Sequence, residues 1–161
     1  MNKQIHGNQI YNIWSQILSK EGIYIIVFRV NDYINLIINK NEFIIDKGYI
    51  IYIGSAGNGL NNRLRRHLTK NKKLRWHIDY VTNNKSVEPS IIYYKEGLYG
   101  VKIEDELSSL FYSKFLKIDN LGATDSKMPH MYYSNNIKEI LKIIYKLDGS
   151  IIIFPSIFDY F

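Results

Sequence analysis

The sequence predicts an α/β (α+β) domain, with a small mixed or antiparallel central sheet flanked by helices. Short apolar runs rich in β-branched and aromatic residues, at 22–30, 49–53 and 90–94, have the length and composition of buried strands. Between and after them apolar residues recur at helical spacing, as in Leu60, Leu64 and Leu68 or Ile137, Ile140, Leu141 and Ile144. A length of 161 residues favours one domain, large enough to bury a real core.

Taken in order, residues 8–19 place Ile10, Ile13, Trp14 and Ile17 at helical spacing, with Gly22 as the cap that ends the segment. Residues 22–30 form a central strand. Two short apolar pieces, 33–38 and 43–45, are joined by Asn39-Lys40-Asn41 and predict a hairpin. Lys47-Gly48 turns the chain into the strand 49–53. Gly54, Gly57 and Gly59 then make a tight loop before the Leu60, Leu64, Leu68 helix. Residues 76–80 fit either a short helix or a short strand. Residues 83–89 are expected as loop and 90–94 as strand. Ile103, Leu107, Leu110 and Phe111 mark an amphipathic helix whose flank carries Glu104, Asp105 and Glu106. Residues 120–129 are expected as loop and 130–133 as strand. A C-terminal helix over 136–147 ends before Gly149, and a last strand at 151–154 is limited to an edge by Pro155.

The net charge is +6, and seven of the 21 Lys and Arg residues fall between Arg63 and Arg75 with no acid among them. Such a run is either a solvated face or an electrostatic footprint for a polyanion. The absence of cysteine excludes disulfides and thiolate metal sites and favours an intracellular protein. No signal peptide is visible, because residues 1–20 mix Lys3, His6, Gln9 and Lys20 with short apolar runs. No stretch reaches the roughly 20 apolar residues of a membrane span. A cytoplasmic protein with no membrane partner is expected.

Gly22-Ile23-Tyr24, Tyr52-Ile53-Gly54 and the following Asn62-Arg63-Leu64-Arg65-Arg66-His67 resemble the core of the GIY-YIG nucleases. The fuller pattern GSAGNGLNNRLRRH followed by WHIDY is similar to an archaeal-type GIY-YIG-like domain sometimes fused to a base-excision glycosylase. The similarity spans about residues 22–133, within a single GIY-YIG-like domain over 1–161. Tyr24 and Tyr52 lie 28 positions apart, farther than is usual for such tripeptides, so the 32–46 hairpin is expected as an insertion.

The resemblance implies a metal-dependent endonuclease that hydrolyses phosphodiester bonds in DNA, in repair or recombination. Mg²⁺ or Mn²⁺ would be the cofactor. DNA is the expected partner, with RNA left open, alongside a repair-protein partner. The alternative is a catalytically inactive nucleic-acid-binding module that kept the fold.

Hydrolysis needs an activated water, charge stabilisation on the phosphoryl oxygens and help for the leaving group. Arg63 suits the second task, since a guanidinium is permanently charged and grips phosphate bidentately. By resemblance Tyr24 activates water and Tyr52 positions it, although a phenol with its usual pKa near 10 is a poor base at neutral pH. His67, one helical turn after Arg63, could bond the tyrosine or the phosphate. Glu104 is the expected metal ligand, because the family's glutamate precedes an apolar residue by three positions. That matches Leu107, whereas Glu106 precedes Ser109. Glu106 stays the second choice, and all three acids could instead favour the helix dipole. Arg65, Arg66, Lys70, Lys72, Lys73 and Arg75 are the expected nucleic-acid-binding residues. His77 with Asp79 would share a face only on a strand; His130 and Asp125 are weaker candidates. Asn120 is the candidate for an asparagine the family often places after the acidic helix.

Overall fold

The computed structural model describes residues 20–118 and 127–154. The expected helix at 8–19, Asn120, Asp125 and Pro155 lie outside those residues. Eight strands and four helices follow in order: β1 (Gly22–Val30), β2 (Ile34–Ile38), β3 (Asn41–Ile45), β4 (Gly48–Ala56), α1 (Leu60–Leu68) and α2 (His77–Thr82). Then come β5 (Val87–Glu96), α3 (Val101–Tyr112), β6 (Leu116–Lys117), β7 (Met131–Ser134), α4 (Ile137–Ile144) and β8 (Ser150–Ile153). Six strands form one sheet in the order β6-β7-β4-β1-β5-β8, with every pairing antiparallel. β2 and β3 pair separately.

β1 and β4 lie at the centre and are covered on both faces, which is why they read as continuous apolar runs instead of alternating ones. On one face Tyr24, Ile26, Phe28 and Ile50 pack with Leu60 and Leu64 of α1 and with Ile78 and Val81 of α2. On the other, Ile23, Ile25, Val27, Ile51 and Ile53 pack with Leu107 and Phe111 of α3 and Ile140 and Ile144 of α4. Among the described residues no helix is long and apolar enough to cross a membrane.

One expectation changes, and one that was open is settled. Strand β5 begins at Val87, inside the stretch expected as loop. It reaches back past Pro89 because the register slips there: Val27 faces Ile91 and Phe28 faces Pro89, and a proline is tolerated at such an irregularity. Residues 77–82 are helical, and the Asp79 side chain accepts from the Trp76 N–H at the helix start. The expected hairpin is present and packs into the domain. Its inward residues Ile34, Leu36, Ile38 and Ile45 belong to the same core as Tyr24 and Phe28.

Leu36 is 6% exposed in that shared core. Leu36→Ala is therefore expected to cost about 2–5 kcal/mol in urea unfolding, as deletion of a core leucine does. A cost near zero would make the hairpin energetically separate from the domain.

Candidate active site

The register of β1 on β4 sets Tyr24 opposite Gly54 and Ile26 opposite Tyr52. The two tyrosines are thus diagonal neighbours on one face, their ring centres 6.2 Å apart. A Cβ at Gly54 would collide with the hydroxyl and ring of Tyr24, so the glycine is what lets that ring lie over β4. Pairing of β4 with β7 ends at Tyr52–Met131, and beyond it the Ile53 N–H donates to the His130 carbonyl at 2.9 Å. A cavity of about 530 Å³ lies here. Its lining includes Tyr24, Tyr52, Ser55, Arg63, Arg75, Trp76, His77, Glu104 and His130.

Helix α1 supplies Arg63 and His67. Leu60 and Leu64 are fully buried and fix the rotation of the helix, which turns Arg63 into the cavity. Trp76, on the segment leading into α2, packs against the same helix. Its ring centre is 4.6 Å from the Arg63 guanidinium and 4.5 Å from that of Arg66. His67 is buried, with Nε2 2.8 Å from the Tyr24 hydroxyl. Burial, followed by the nearby charge of Arg63, lowers its pKa to about 3, so the ring is neutral at physiological pH.

Both phenols are held protonated. Burial is the main cause for each, lifting Tyr24 well above its ordinary value and Tyr52 to about 12. Arg63 pulls both down, whereas Glu104 pushes both up.

Glu104 comes from the first turn of α3, on the opposite side of the sheet from α1. It reaches the cavity where β4 outruns β7. Ser55 donates to its Oε1, and Ser55 in turn accepts from the Gly100 N–H at 2.9 Å. Its Oε2 lies 3.3 Å from His130 Nδ1. Glu104 is thus a carboxylate oriented by its neighbours at the wall of a cavity, a fit for a hard divalent cation that keeps open positions for water and phosphate. Glu106 is exposed and is not among the cavity's lining residues.

The six expected nucleic-acid-binding residues divide. Arg65, Lys73 and Arg75 are exposed, and Arg75 lines the cavity. The other three are engaged within the protein. Arg66 forms an ion pair with the fully buried Asp79, whose Oδ2 also accepts from the backbone N–H groups of Arg75 at 2.8 Å and Trp76 at 3.0 Å. Lys70 Nζ donates to the carbonyls of Thr82, Asn84 and Val87. Lys72 Nζ donates to those of His67 and Thr69, and burial lowers its pKa to about 8. His77 and Asp79, two apart on a helix, point different ways, and Asp79 holds the fold together. Ser55 and His130 are the contributors that spacing did not single out as partners of Glu104. The Ser55 signal was its place between Gly54 and the glycine loop; for His130 the pairing with Glu104 and Asp105 spans about 25 residues and has no local signature.

The chain belongs to the family described as domain of unknown function DUF123, whose model matches residues 23–151. No curated protein and no solved structure matches the chain.

His67 also makes stability depend on pH. Its folded pKa, about 3, lies below the usual 6.5, so the unfolded chain binds more protons between those values. The contribution is complete above pH 6.5 and is lost as pH falls toward 3, at up to about 1.4 kcal/mol per pH unit. In urea unfolding from pH 7 to 4, His67→Gln is expected to flatten this dependence; an unchanged slope would assign the acid sensitivity elsewhere.

Proposed function

We propose that this protein is a metal-dependent endonuclease that hydrolyses phosphodiester bonds in DNA. One observation carries the reading: Tyr24, Tyr52, Arg63 and Glu104, from four separate elements, line a single cavity. A module that only binds nucleic acid has no need to bring two phenols, a guanidinium and an oriented carboxylate to one place.

In the proposed reaction a water oxygen forms a bond to phosphorus and one ester P–O bond breaks. The water's proton passes to the phenolate of the tyrosine pair, and the departing ester oxygen takes a proton from solvent. Arg63, stacked beside Trp76, holds the phosphoryl oxygens and stabilises the charge that grows on them. Glu104 would hold a divalent ion, whose charge would add to that of Arg63 and offset the carboxylate field, one of the causes keeping both phenols protonated. His67 fixes the Tyr24 hydroxyl, and a neutral imidazole does so without adding charge. Arg65, Lys73 and Arg75, exposed on the basic segment, bring the phosphate backbone to the cavity.

Glu104→Gln keeps the size of the side chain and removes the charge that retains the metal. Nicking of supercoiled plasmid with Mg²⁺ or Mn²⁺ should fall by orders of magnitude, since each 1.4 kcal/mol lost is about tenfold in rate. DNA binding should survive, and Glu106→Gln should cleave like wild type. Equal, EDTA-resistant nicking by all three proteins would point to a contaminant. No cleavage by wild type of plasmid, branched or damaged DNA would leave the binding module as the better reading.

A phenolate base also dictates the pH profile. Below the pKa of the pair, the ionised fraction rises about tenfold per pH unit, so single-turnover cleavage should climb log-linearly from neutral into mildly alkaline pH. A flat profile would remove both tyrosines from the role of base.

A further inference from the structure

His130 is 2% exposed, yet it lines the cavity beside Glu104. Its position is fixed from three sides. The His130 carbonyl accepts from Ile53, Ser108 of α3 donates to the adjoining Pro129 carbonyl, and His130 Nε2 lies 3.0 Å from Asp105 Oδ1. The other ring nitrogen, Nδ1, is 3.3 Å from Glu104 Oε2.

These two distances differ in kind. At 3.0 Å the Nε2 contact has the length of an ordinary N–H···O bond to a carboxylate, so Asp105 can hold a ring proton on Nε2. With the proton held there, Nδ1 turns its lone pair toward Glu104 Oε2 across 3.3 Å. A cation between these two atoms would have a donor on each side, in the place a second ring proton otherwise takes. With bonds of about 2.1 Å, two adjacent ligands of one metal ion lie roughly 3.0–3.4 Å apart, and the observed separation falls in that interval. An imidazole that ligates a metal through one nitrogen and donates the other N–H to a carboxylate is the usual outer-shell arrangement. Ser55 meanwhile occupies Oε1 of Glu104, leaving Oε2 for the ion.

We propose that Glu104 and His130 together form the protein's half of a divalent-metal site, with Asp105 as the positioning residue of His130. This rests on the reading of Glu104 as a metal ligand and adds a nitrogen donor to it. Among the described residues no three His, Cys, Asp or Glu side chains are grouped to hold a metal. Two protein ligands leave the remaining positions to water and phosphate oxygens, as a catalytic ion needs and a structural one does not. The nitrogen donor also sets metal choice. Imidazole suits transition ions, whereas Mg²⁺ takes oxygen, so the site should favour Mn²⁺ or Co²⁺ over Mg²⁺.

The test needs no substrate turnover. Wild-type protein is titrated calorimetrically with Mn²⁺ and Mg²⁺, and the Mn²⁺ form is measured by pulsed electron paramagnetic resonance for ¹⁴N coupling. Expected are tighter Mn²⁺ binding and an imidazole ¹⁴N coupling that His77→Ala, on the same cavity, retains and His130→Ala abolishes. Should His130→Ala fail to fold, Asp105→Asn serves instead, with an expected loss of about 10–100-fold in Mn²⁺ affinity. Mn²⁺ bound through Glu104 with no ¹⁴N coupling would overturn the His130 assignment and leave the nuclease reading intact. No Mn²⁺ or Mg²⁺ bound at millimolar ion, with or without a DNA duplex, would overturn both.

Discussion

The site depends on Tyr24 lying across from Gly54 in the β1–β4 ladder. Side chains alternate along a strand, so a slip of one residue would turn Tyr24 and Tyr52 to the α3 side and bring Ile23 and Ile53 to the α1 side. The register is held by burial on both faces and by β5 on the far side of β1. Gly54 adds a steric condition, because any larger residue meets the Tyr24 ring. Once that ring is seated, its hydroxyl meets His67, and His67 fixes where α1 can lie. Arg63, one turn earlier on α1, follows from the same placement.

The basic segment has two jobs divided among its residues. Arg66, Lys70 and Lys72 are spent on closing the chain between α1 and α2. Lys70 gathers three carbonyls near the end of α2 and the start of β5, and Arg66 offsets the buried charge of Asp79. Asp79 then orders the backbone at Arg75 and Trp76, which sets the indole against both guanidiniums. Removing one member of a buried pair like this leaves an uncompensated charge, at a cost of about 3–5 kcal/mol. These contacts hold the segment in place.

Opposed charges meet in the cavity from opposite sides of the sheet. Arg63 arrives with α1 and Glu104 with α3, and they act with opposite sign on the same two phenols. Desolvation outweighs both, which keeps the tyrosines neutral. His67 is neutral for the same reason, so it orients Tyr24 and leaves the field to the other two groups.

By itself the sequence determined the fold class, the central strands and the helices α1, α3 and α4, because apolar periodicity is written locally and burial on both faces leaves an unbroken run. It also marked Tyr24, Tyr52, Arg63 and Glu104, whose spacing survives in the chain. The extension of β5 through Pro89 was not legible, since it depends on a register slip against β1. Nor was the division of the basic segment, because Lys70 and Arg66 look like their exposed neighbours until partners from α2 and β5 are beside them. His130 with Asp105 and Ser55 with Glu104 are pairs far apart in sequence. Only tertiary packing brings them together: β4 runs on past β7, and α3 crosses the opening this leaves, carrying its carboxylates to the opposite wall.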